Sequence, residues 1–207
     1  MNNRLRQHPE FAHVWIDNHG VARPEWAIKH PLLQEYFDTE WGRPIYDEQG
    51  LFERLSLEGF QAGLSWLTIL KKRPAFRTAF VNFDPDIVTQ FDENDIDRLL
   101  KNTHIVRNAQ KIRAVIHNAQ ATIDLRSSGG LSQLIWSYQT TKPQILDAAG
   151  SPPTQSVDSA VLAKKLKHYG FRFVGATTIF AMLEAIGVVD TFPFRESHNL
   201  SMYPRAD

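Results

Sequence analysis

One carboxylate, that of Glu58, stands where the surrounding pattern asks for an apolar residue. A helix over residues 50–62 would place four side chains on one stripe, namely Leu51, Leu55, Glu58 and Ala62. Glu58 would then point into the protein, where an unpaired carboxylate takes up a proton or needs a polar partner. A ligand with donor groups is one such partner. An arginine or a backbone amide is the alternative, and Glu58 would then be structural.

Aromatic residues gather on both sides of this stretch: Trp26, Tyr36, Phe37, Trp41 and Trp66. Rings beside a recessed carboxylate can stack on a planar, nitrogen-rich ligand while the acid accepts hydrogen bonds from exocyclic amines. A nucleobase fits that description. The alternative is an aromatic core that contains a structural acid.

The composition excludes several classes of protein. With 43% apolar residues among 207, the chain is not disordered, and it suits one domain or two closely packed lobes. Cysteine is absent, which removes disulfides, thiolate chemistry and zinc sites that use sulfur. No segment approaches the roughly 20 apolar residues of a membrane span, and the N-terminus lacks the core of a signal peptide. We therefore expect a cytoplasmic protein.

The net charge is zero, yet twelve of the twenty-three Lys and Arg residues lie in three segments without acids. These residues are Lys71, Lys72, Arg73 and Arg77; Lys101, Arg107, Lys111 and Arg113; and Lys164, Lys165, Lys167 and Arg172. Such segregation predicts one basic face suited to nucleic acid, unless the segments are three ordinary solvated helix ends.

Helical periodicity dominates the chain and predicts an all-α fold of about nine or ten helices. The expected helices run from Pro31 towards Trp41, over 50–62, from Trp66 to about Lys72, over 92–100, from Ile105 to Ile123, from Ser156 to about His168, and over 173–186. Pro74 should end the helix that follows Trp66, and Gly150 to Pro153 should form a loop between two lobes. Asp84, Asp92 and Ser156 are expected to cap the N-terminal ends of helices. Residues 1–25 indicate an irregular extension.

The helices over 92–100 and from Ile105 form a hairpin around a short turn. Backbone amides at the start of the second helix, with Arg107, Asn108 and Lys111 in its first turns, could bind DNA phosphates. Helical hairpins occur in many proteins, so this pattern is weak evidence by itself.

Four short sequence blocks occur in the same order as in a known protein family. They are Glu40 to Gly42, Leu57 to Trp66 followed by Leu70 to Arg73, Ile105 to Asn108 with Lys111 and Ile112, and Gly170 to Gly175. Together they resemble DNA-3-methyladenine glycosylase I, over a match from about Arg23 to Asp190. The resemblance implies a helix-hairpin-helix glycosylase fold in two closely packed lobes. It implies an N-terminal extension over 1–25, a glycosylase domain over 26–190 and a tail over 191–207.

The resemblance also implies an activity, namely excision of 3-methyladenine from alkylated double-stranded DNA by a monomer without a cofactor. Carried over by position, Glu58 would read the flipped base, Trp66 would stack on it, and Tyr36, Trp41 and Trp26 would complete the pocket. Leu64 would act as a wedge in the duplex. The DNA backbone would be held by Arg107, Asn108, Lys111, Lys71 and Lys72. For Lys111, phosphate binding is favoured over attack on the sugar as an amine, because the residue lies within a helix.

The chain departs from the family at two places. Members typically carry a zinc ion held by two Cys and two His, whereas Pro24, Phe37, Phe192 and Glu196 stand at those positions here. We expect Phe37 and Phe192 to pack together instead; a different metal site using Glu196, His198 and an N-terminal histidine is the alternative. His104 replaces a hairpin glycine, which affects how closely a phosphate can approach the turn.

Three functions remain open at this point. The first is an active glycosylase that contains no metal, and the second is a relative that binds damaged DNA without turnover. The third is a helical protein whose pocket takes a free purine. Only the first two predict affinity for DNA that falls steeply with salt.

Overall fold

The computed structural model of the protein describes residues 5–139 and 153–192. Over these ranges the chain forms nine α-helices and one small antiparallel sheet, which confirms the expected helical fold. The strands are β1 (Arg6–Gln7), β2 (Val14–Ile16) and β3 (Ala22–Pro24). The helices are α1 (Pro31–Thr39), α2 (Glu48–Gln61), α3 (Trp66–Ala79), α4 (Pro85–Val88), α5 (Glu93–Lys101), α6 (Ala109–Leu125), α7 (Gly130–Trp136), α8 (Val157–His168) and α9 (Ala176–Ala185). Most of the loop predicted at Gly150 to Pro153 lies outside the described residues.

Side-chain caps start several helices where the sequence predicts them. Asp92 and Ser156 both form capping boxes, at α5 and α8, and Asp84 accepts a hydrogen bond from the amide of Asp86 at α4. Asp47 caps α2 by accepting from the amide of Gly50. A local signal, the Asp47 cap, therefore determines where α2 begins, and α2 carries Glu58.

The expected helix break before Pro74 is wrong, because α3 continues through this proline to Ala79. Proline has no amide hydrogen, so one hydrogen bond of the helix is lost there. Ile69 and Leu70 before the proline and Phe76 after it are all buried in the core. Packing on both sides of Pro74 offsets the lost bond and keeps the helix continuous.

The long hairpin helix begins at Ala109, four residues later than expected. Asn108 caps it, with its side chain accepting from the amide of Lys111 at 3.1 Å. Arg107 and Asn108 therefore precede the helix instead of lying in its first turns. Ile105 is buried in the connecting segment, which explains why its apolar character continued the helical pattern.

The N-terminal segment is also more regular than expected. Strand β2 pairs antiparallel with β1 and with β3, with Trp15 opposite Arg23. These strands have two or three residues each, too few for a readable alternation of polar and apolar positions. Tertiary contacts of Arg23 with Asp17 and Asp38 hold this sheet.

The main core is formed by residues of α2 to α9 and their connecting segments. Helix α2 lies at its centre, with Phe52, Leu55 and Phe60 almost completely buried. A second core joins the N-terminal sheet to α1 and to Phe192, through Val14, Ala22, Ala27 and Phe37. Within the described ranges, none of the helices has the length and apolar character needed to cross a bilayer.

Candidate active site

Glu58 lies in the interior, as the sequence predicts. Its side chain is on α2 and the residue is only 5% exposed. Burial raises the pKa of Glu58 to about 7, opposed by the positive charge of Arg54 and assisted by the negative charge of Glu184. Ala62, expected on the same buried stripe, is instead exposed, because α2 ends at Gln61.

Arg54 is a member of this site that the sequence analysis missed. It lies one helical turn before Glu58, is 5% exposed, and has Nη1 3.8 Å from Oε1 of Glu58. The same nitrogen donates a 2.7 Å hydrogen bond to the hydroxyl of Tyr36. The spacing of an acid and a base at i and i+4 on one helix was the available signal. The arginine that the alternative, structural interpretation of Glu58 required is therefore present.

The guanidinium of Arg54 also lies over two aromatic rings. Its central carbon is 5.3 Å from the ring centroid of Tyr36 and 5.2 Å from that of Trp66. Both distances are within the range of cation–π attraction. The Tyr36 hydroxyl stays neutral, since burial raises its pKa to about 12.

The predicted aromatic residues form one connected cluster around these groups. Tyr36 and Trp66 have ring centroids 5.5 Å apart, and Trp26 lies 6.2 Å from Tyr36 and 5.9 Å from Trp41. Ser65 caps α3 and so places Trp66 at the first turn of that helix. The indole nitrogen of Trp66 is buried and has no hydrogen-bond partner among the residues that the structure describes. The four predicted ring residues are thus brought together, and Arg54 connects Glu58 to the rings of Tyr36 and Trp66.

The turn between α2 and α3 presents Leu64 next to the aromatic cluster. Gly63 in this turn has a φ of +80°, a left-handed conformation that glycine adopts without strain. Leu64 follows it and is 41% exposed. An apolar residue at the tip of a tight turn can enter a gap in a base stack.

The predicted hairpin is attached to this turn and to α3 by two lysines. Nζ of Lys111 donates to the carbonyls of Phe60 at 2.8 Å and Ala62 at 2.6 Å. Nζ of Lys72 donates to the carbonyls of Thr103 at 3.2 Å and His104 at 3.1 Å. Both ammonium groups thus have partners within the protein, and the structure brings the hairpin turn to the same side as Leu64.

The other basic residues of the three segments are exposed, form ion pairs, or both. Three arginines from the basic segments form ion pairs, Arg73 with Glu40, Arg77 with Glu53 and Arg113 with Glu93. Lys71 and Arg107 are exposed, and so is Asn108, although its amide oxygen is used as a cap. The amide of His104 donates to the side chain of Asn102 at 2.9 Å, so this hairpin donor already has a partner.

The positions at which the family resemblance implies zinc ligands do not fit a metal in this chain. Pro24, Phe37 and Phe192 offer no side-chain donor atom, and no group of potential metal ligands occurs in the described part of the chain. Phe37 and Phe192 pack edge to face at 5.2 Å, as the sequence predicts. Glu196 and His198, the alternative ligands, lie outside the described residues.

An ion pair lies directly beside this aromatic contact. Arg23 precedes Pro24 in the chain, and Asp38 follows Phe37. Arg23 donates hydrogen bonds to both carboxylate oxygens of Asp38, at 2.7 and 2.8 Å. Arg23 also donates to Asp17 at 2.8 Å. These contacts join strand β3 to helix α1, so an arginine and two aromatic rings connect the segments at this end of the molecule.

Comparison with known proteins agrees with these features. The family model described as methyladenine glycosylase matches residues 26–193. The chain is 40% identical over 173 residues to the DNA-3-methyladenine glycosylase of Haemophilus influenzae, covering 82% of this chain and 94% of that protein. It is also 40% identical to DNA-3-methyladenine glycosylase 1 of Escherichia coli, covering 82% of this chain and 92% of that protein.

Solved structures give the same relationship. A crystal structure of 3-methyladenine DNA glycosylase I has a TM-score of 0.74 at 44% identity, covering 80% of this chain and 92% of that chain. A structure of the Staphylococcus aureus enzyme, solved for the basis of 3-methyladenine recognition, has a TM-score of 0.74 at 41% identity. That comparison covers 80% of this chain and 89% of the other. The chain therefore belongs to the methyladenine glycosylase family.

Proposed function

We propose that this protein is a monofunctional DNA glycosylase that hydrolyses the N-glycosidic bond of 3-methyladenine in alkylated double-stranded DNA. The damaged nucleotide leaves the base stack, at a cost of a few kcal/mol that is lower for poorly paired bases. Its base then enters the base site, which we define as Glu58, Tyr36, Trp66, Trp26 and Trp41. The cluster of these five residues, with a buried carboxylate beside electron-rich rings, is the observation that carries the proposal.

The base site suits a methylated purine for electrostatic reasons. Methylation at N3 makes adenine cationic while it is attached to the sugar, and aromatic faces favour a cationic ring by about 0.5 to 2 kcal/mol each. The carboxylate of Glu58 would accept a hydrogen bond from the exocyclic amine. A bound cation would favour the ionised form of Glu58 and so lower its raised pKa.

The reaction itself needs little acid catalysis. When the glycosidic bond breaks, its electron pair moves to the base nitrogen, and the cationic base leaves as a neutral molecule. Water then adds to the anomeric carbon of the sugar and loses a proton to solvent. The ionised Glu58 would stabilise the positive charge that develops on the sugar in the transition state.

Contact with DNA is assigned to the surface that contains Leu64 and the hairpin turn. We infer that Leu64 fills the gap left by the flipped nucleotide, and that Lys71, Arg107 and Asn108 contact phosphates, since all four are exposed. The ammonium groups of Lys72 and Lys111 hold the hairpin against α3 and against the end of α2. Lys111 and Lys72 would thus act on DNA mainly by fixing the position of these contacts.

The monofunctional assignment concerns Lys111. Burial lowers the pKa of its amine, yet two carbonyl oxygens accept hydrogen bonds from it. An amine engaged in this way is not aimed at a sugar, so we expect hydrolysis without strand cleavage. A covalent adduct trapped by borohydride would contradict this. The expected monomeric state and cytoplasmic location stay predictions.

The direct test is incubation of the purified protein with methylated duplex DNA, followed by chromatographic identification of the released base. We expect release of 3-methyladenine and an intact DNA strand that carries an abasic site. Binding to the methylated duplex without any release would instead identify the protein as a damaged-DNA binding module.

A further inference from the structure

Arg54 shares the base site with Glu58, and its contacts are of an unusual kind for a buried arginine. The guanidinium has five N–H donors. Among the described residues it makes one hydrogen bond, to the hydroxyl of Tyr36, with the carboxylate of Glu58 at 3.8 Å. Its other contacts are the faces of Tyr36 and Trp66, at 5.3 and 5.2 Å. The faces of these two rings therefore form much of the surroundings of the guanidinium.

These are the same interactions that the proposed function assigns to the damaged base. A cationic methylated adenine is planar, stacks on electron-rich rings and pairs with a carboxylate, as a guanidinium does. Arg54 keeps its proton at physiological pH. Burial alone would lower the pKa of its guanidinium, but Tyr36 and Glu58 outweigh burial and raise this already high pKa overall. A positive charge is thus present in the base site before any ligand enters.

We propose that Arg54 is a specificity-determining residue that reduces the preference of the base site for cationic over neutral methylated purines. The inference rests on the proposed function, because it assumes that the base binds beside Glu58. Its physical basis is twofold. The guanidinium repels a second cation at short range, and it already neutralises part of the field of Glu58. A neutral base is not repelled by the guanidinium and does not depend on the charge of Glu58. It can also accept hydrogen bonds from N–H groups of Arg54 that make none to the residues that the structure describes.

The test uses two ligands of the same shape but different charge. One is 3,9-dimethyladeninium, which is permanently cationic, and the other is its neutral analogue 3,9-dimethyl-3-deazaadenine. Dissociation constants are measured for the full chain by tryptophan fluorescence at about pH 8.5, where the ionised form of Glu58 predominates. The measured quantity is the charge preference, defined as Kd of the neutral ligand divided by Kd of the cation.

The variants separate charge from shape. Arg54→Met removes the charge and keeps an unbranched side chain, whereas Arg54→Lys keeps the charge without the planar stacking group. We expect the charge preference to rise at least about tenfold in Arg54→Met and to stay within about threefold of wild type in Arg54→Lys. Arg54→Gln is a second neutral variant, which keeps a hydrogen-bond donor for Tyr36. It should show the same increase in charge preference and replaces Arg54→Met if that variant does not fold.

Two results would overturn the inference in different ways. An unchanged charge preference in both neutral variants, with both ligands still bound, removes the specificity role of Arg54 but leaves the base site in place. Failure of both ligands to bind wild type and every folded variant removes the base site itself, and the proposed function with it.

Discussion

The ammonium of Lys111 donates a 2.6 Å hydrogen bond to the carbonyl of Ala62, the residue directly after the helix that carries Glu58. Lys111 lies in the first turn of α6, so this contact joins the hairpin directly to the turn that presents Leu64. A second bond, to the carbonyl of Phe60, strengthens the connection. The surface assigned to DNA and the site assigned to the base are thus positioned by one side chain.

Lys111→Met should lower stability and leave the salt dependence of DNA binding nearly unchanged. The substitution leaves two carbonyls at the end of α2 without a donor, which should lower the free energy of unfolding by about 1–3 kcal/mol. Lys71→Met is the matched control. It should have little effect on stability but reduce the slope of log Kd against log salt by about 1. Denaturant unfolding and binding titrations at several salt concentrations measure both effects, and the opposite pattern would show that Lys111 contacts a phosphate.

Leu64→Ala should reduce activity on duplex DNA without reducing stability. Because Leu64 is exposed, the free energy of unfolding should change by no more than about 0.5 kcal/mol. Excision of 3-methyladenine from a duplex should fall about tenfold relative to excision from single-stranded DNA, which has no gap to fill. Ile87→Ala, at another exposed apolar position, should alter neither rate. Equal loss of activity on both substrates would argue against a wedge.

Phe192→Ala should destabilise the protein by about 3–5 kcal/mol, as expected for loss of a buried ring. Phe192 is 7% exposed and packs on Phe37 and Trp41. Val161→Ala, at an exposed site on α8, serves as the control in the same denaturant titration. Addition of a chelator should leave the Tm of wild type unchanged, since an aromatic contact stands at positions where the family resemblance implies zinc ligands. A fall in Tm with the chelator would contradict this account.

The activity should depend on pH through Glu58. Its raised pKa of about 7 means that the active ionised form is lost as pH falls below that value. We expect kcat/KM for 3-methyladenine release to decline about tenfold per pH unit at low pH and to level off above the pKa. Because the charge of Arg54 lowers this pKa, Arg54→Met should move the inflection to higher pH. Glu184, which raises the pKa, supplies the reverse check, since Glu184→Gln should move it to lower pH.

The sequence predicted the parts of the fold that depend on local signals. The caps at Asp84, Asp92 and Ser156 follow from side chains that bond their own helix, and the burial of Glu58 follows from helical spacing. Continuity of α3 through Pro74 could not be predicted in this way, because packing of distant residues decides it. The three short strands likewise depend on Arg23 and its distant partner Asp38.

The site was predicted as a set of residues but not as a network of contacts. The rings of Tyr36 and Trp66 meet as expected, whereas Arg54 between them was overlooked because arginine usually indicates a solvated position. For Lys111, the sequence indicated a basic residue near DNA, and only the three-dimensional structure shows where its ammonium points. Long side chains of this kind have too many rotamers for spacing alone to identify their partners.

The central claim is that the carboxylate of Glu58 takes part in excision of 3-methyladenine. The most direct measurement is the single-turnover rate of base release from methylated duplex DNA by Glu58→Gln. Glu53→Gln, the same change five residues earlier on α2, is the control. We predict a rate at least about 100-fold below wild type for Glu58→Gln and within about threefold of wild type for Glu53→Gln. An unchanged rate in folded Glu58→Gln would contradict the account.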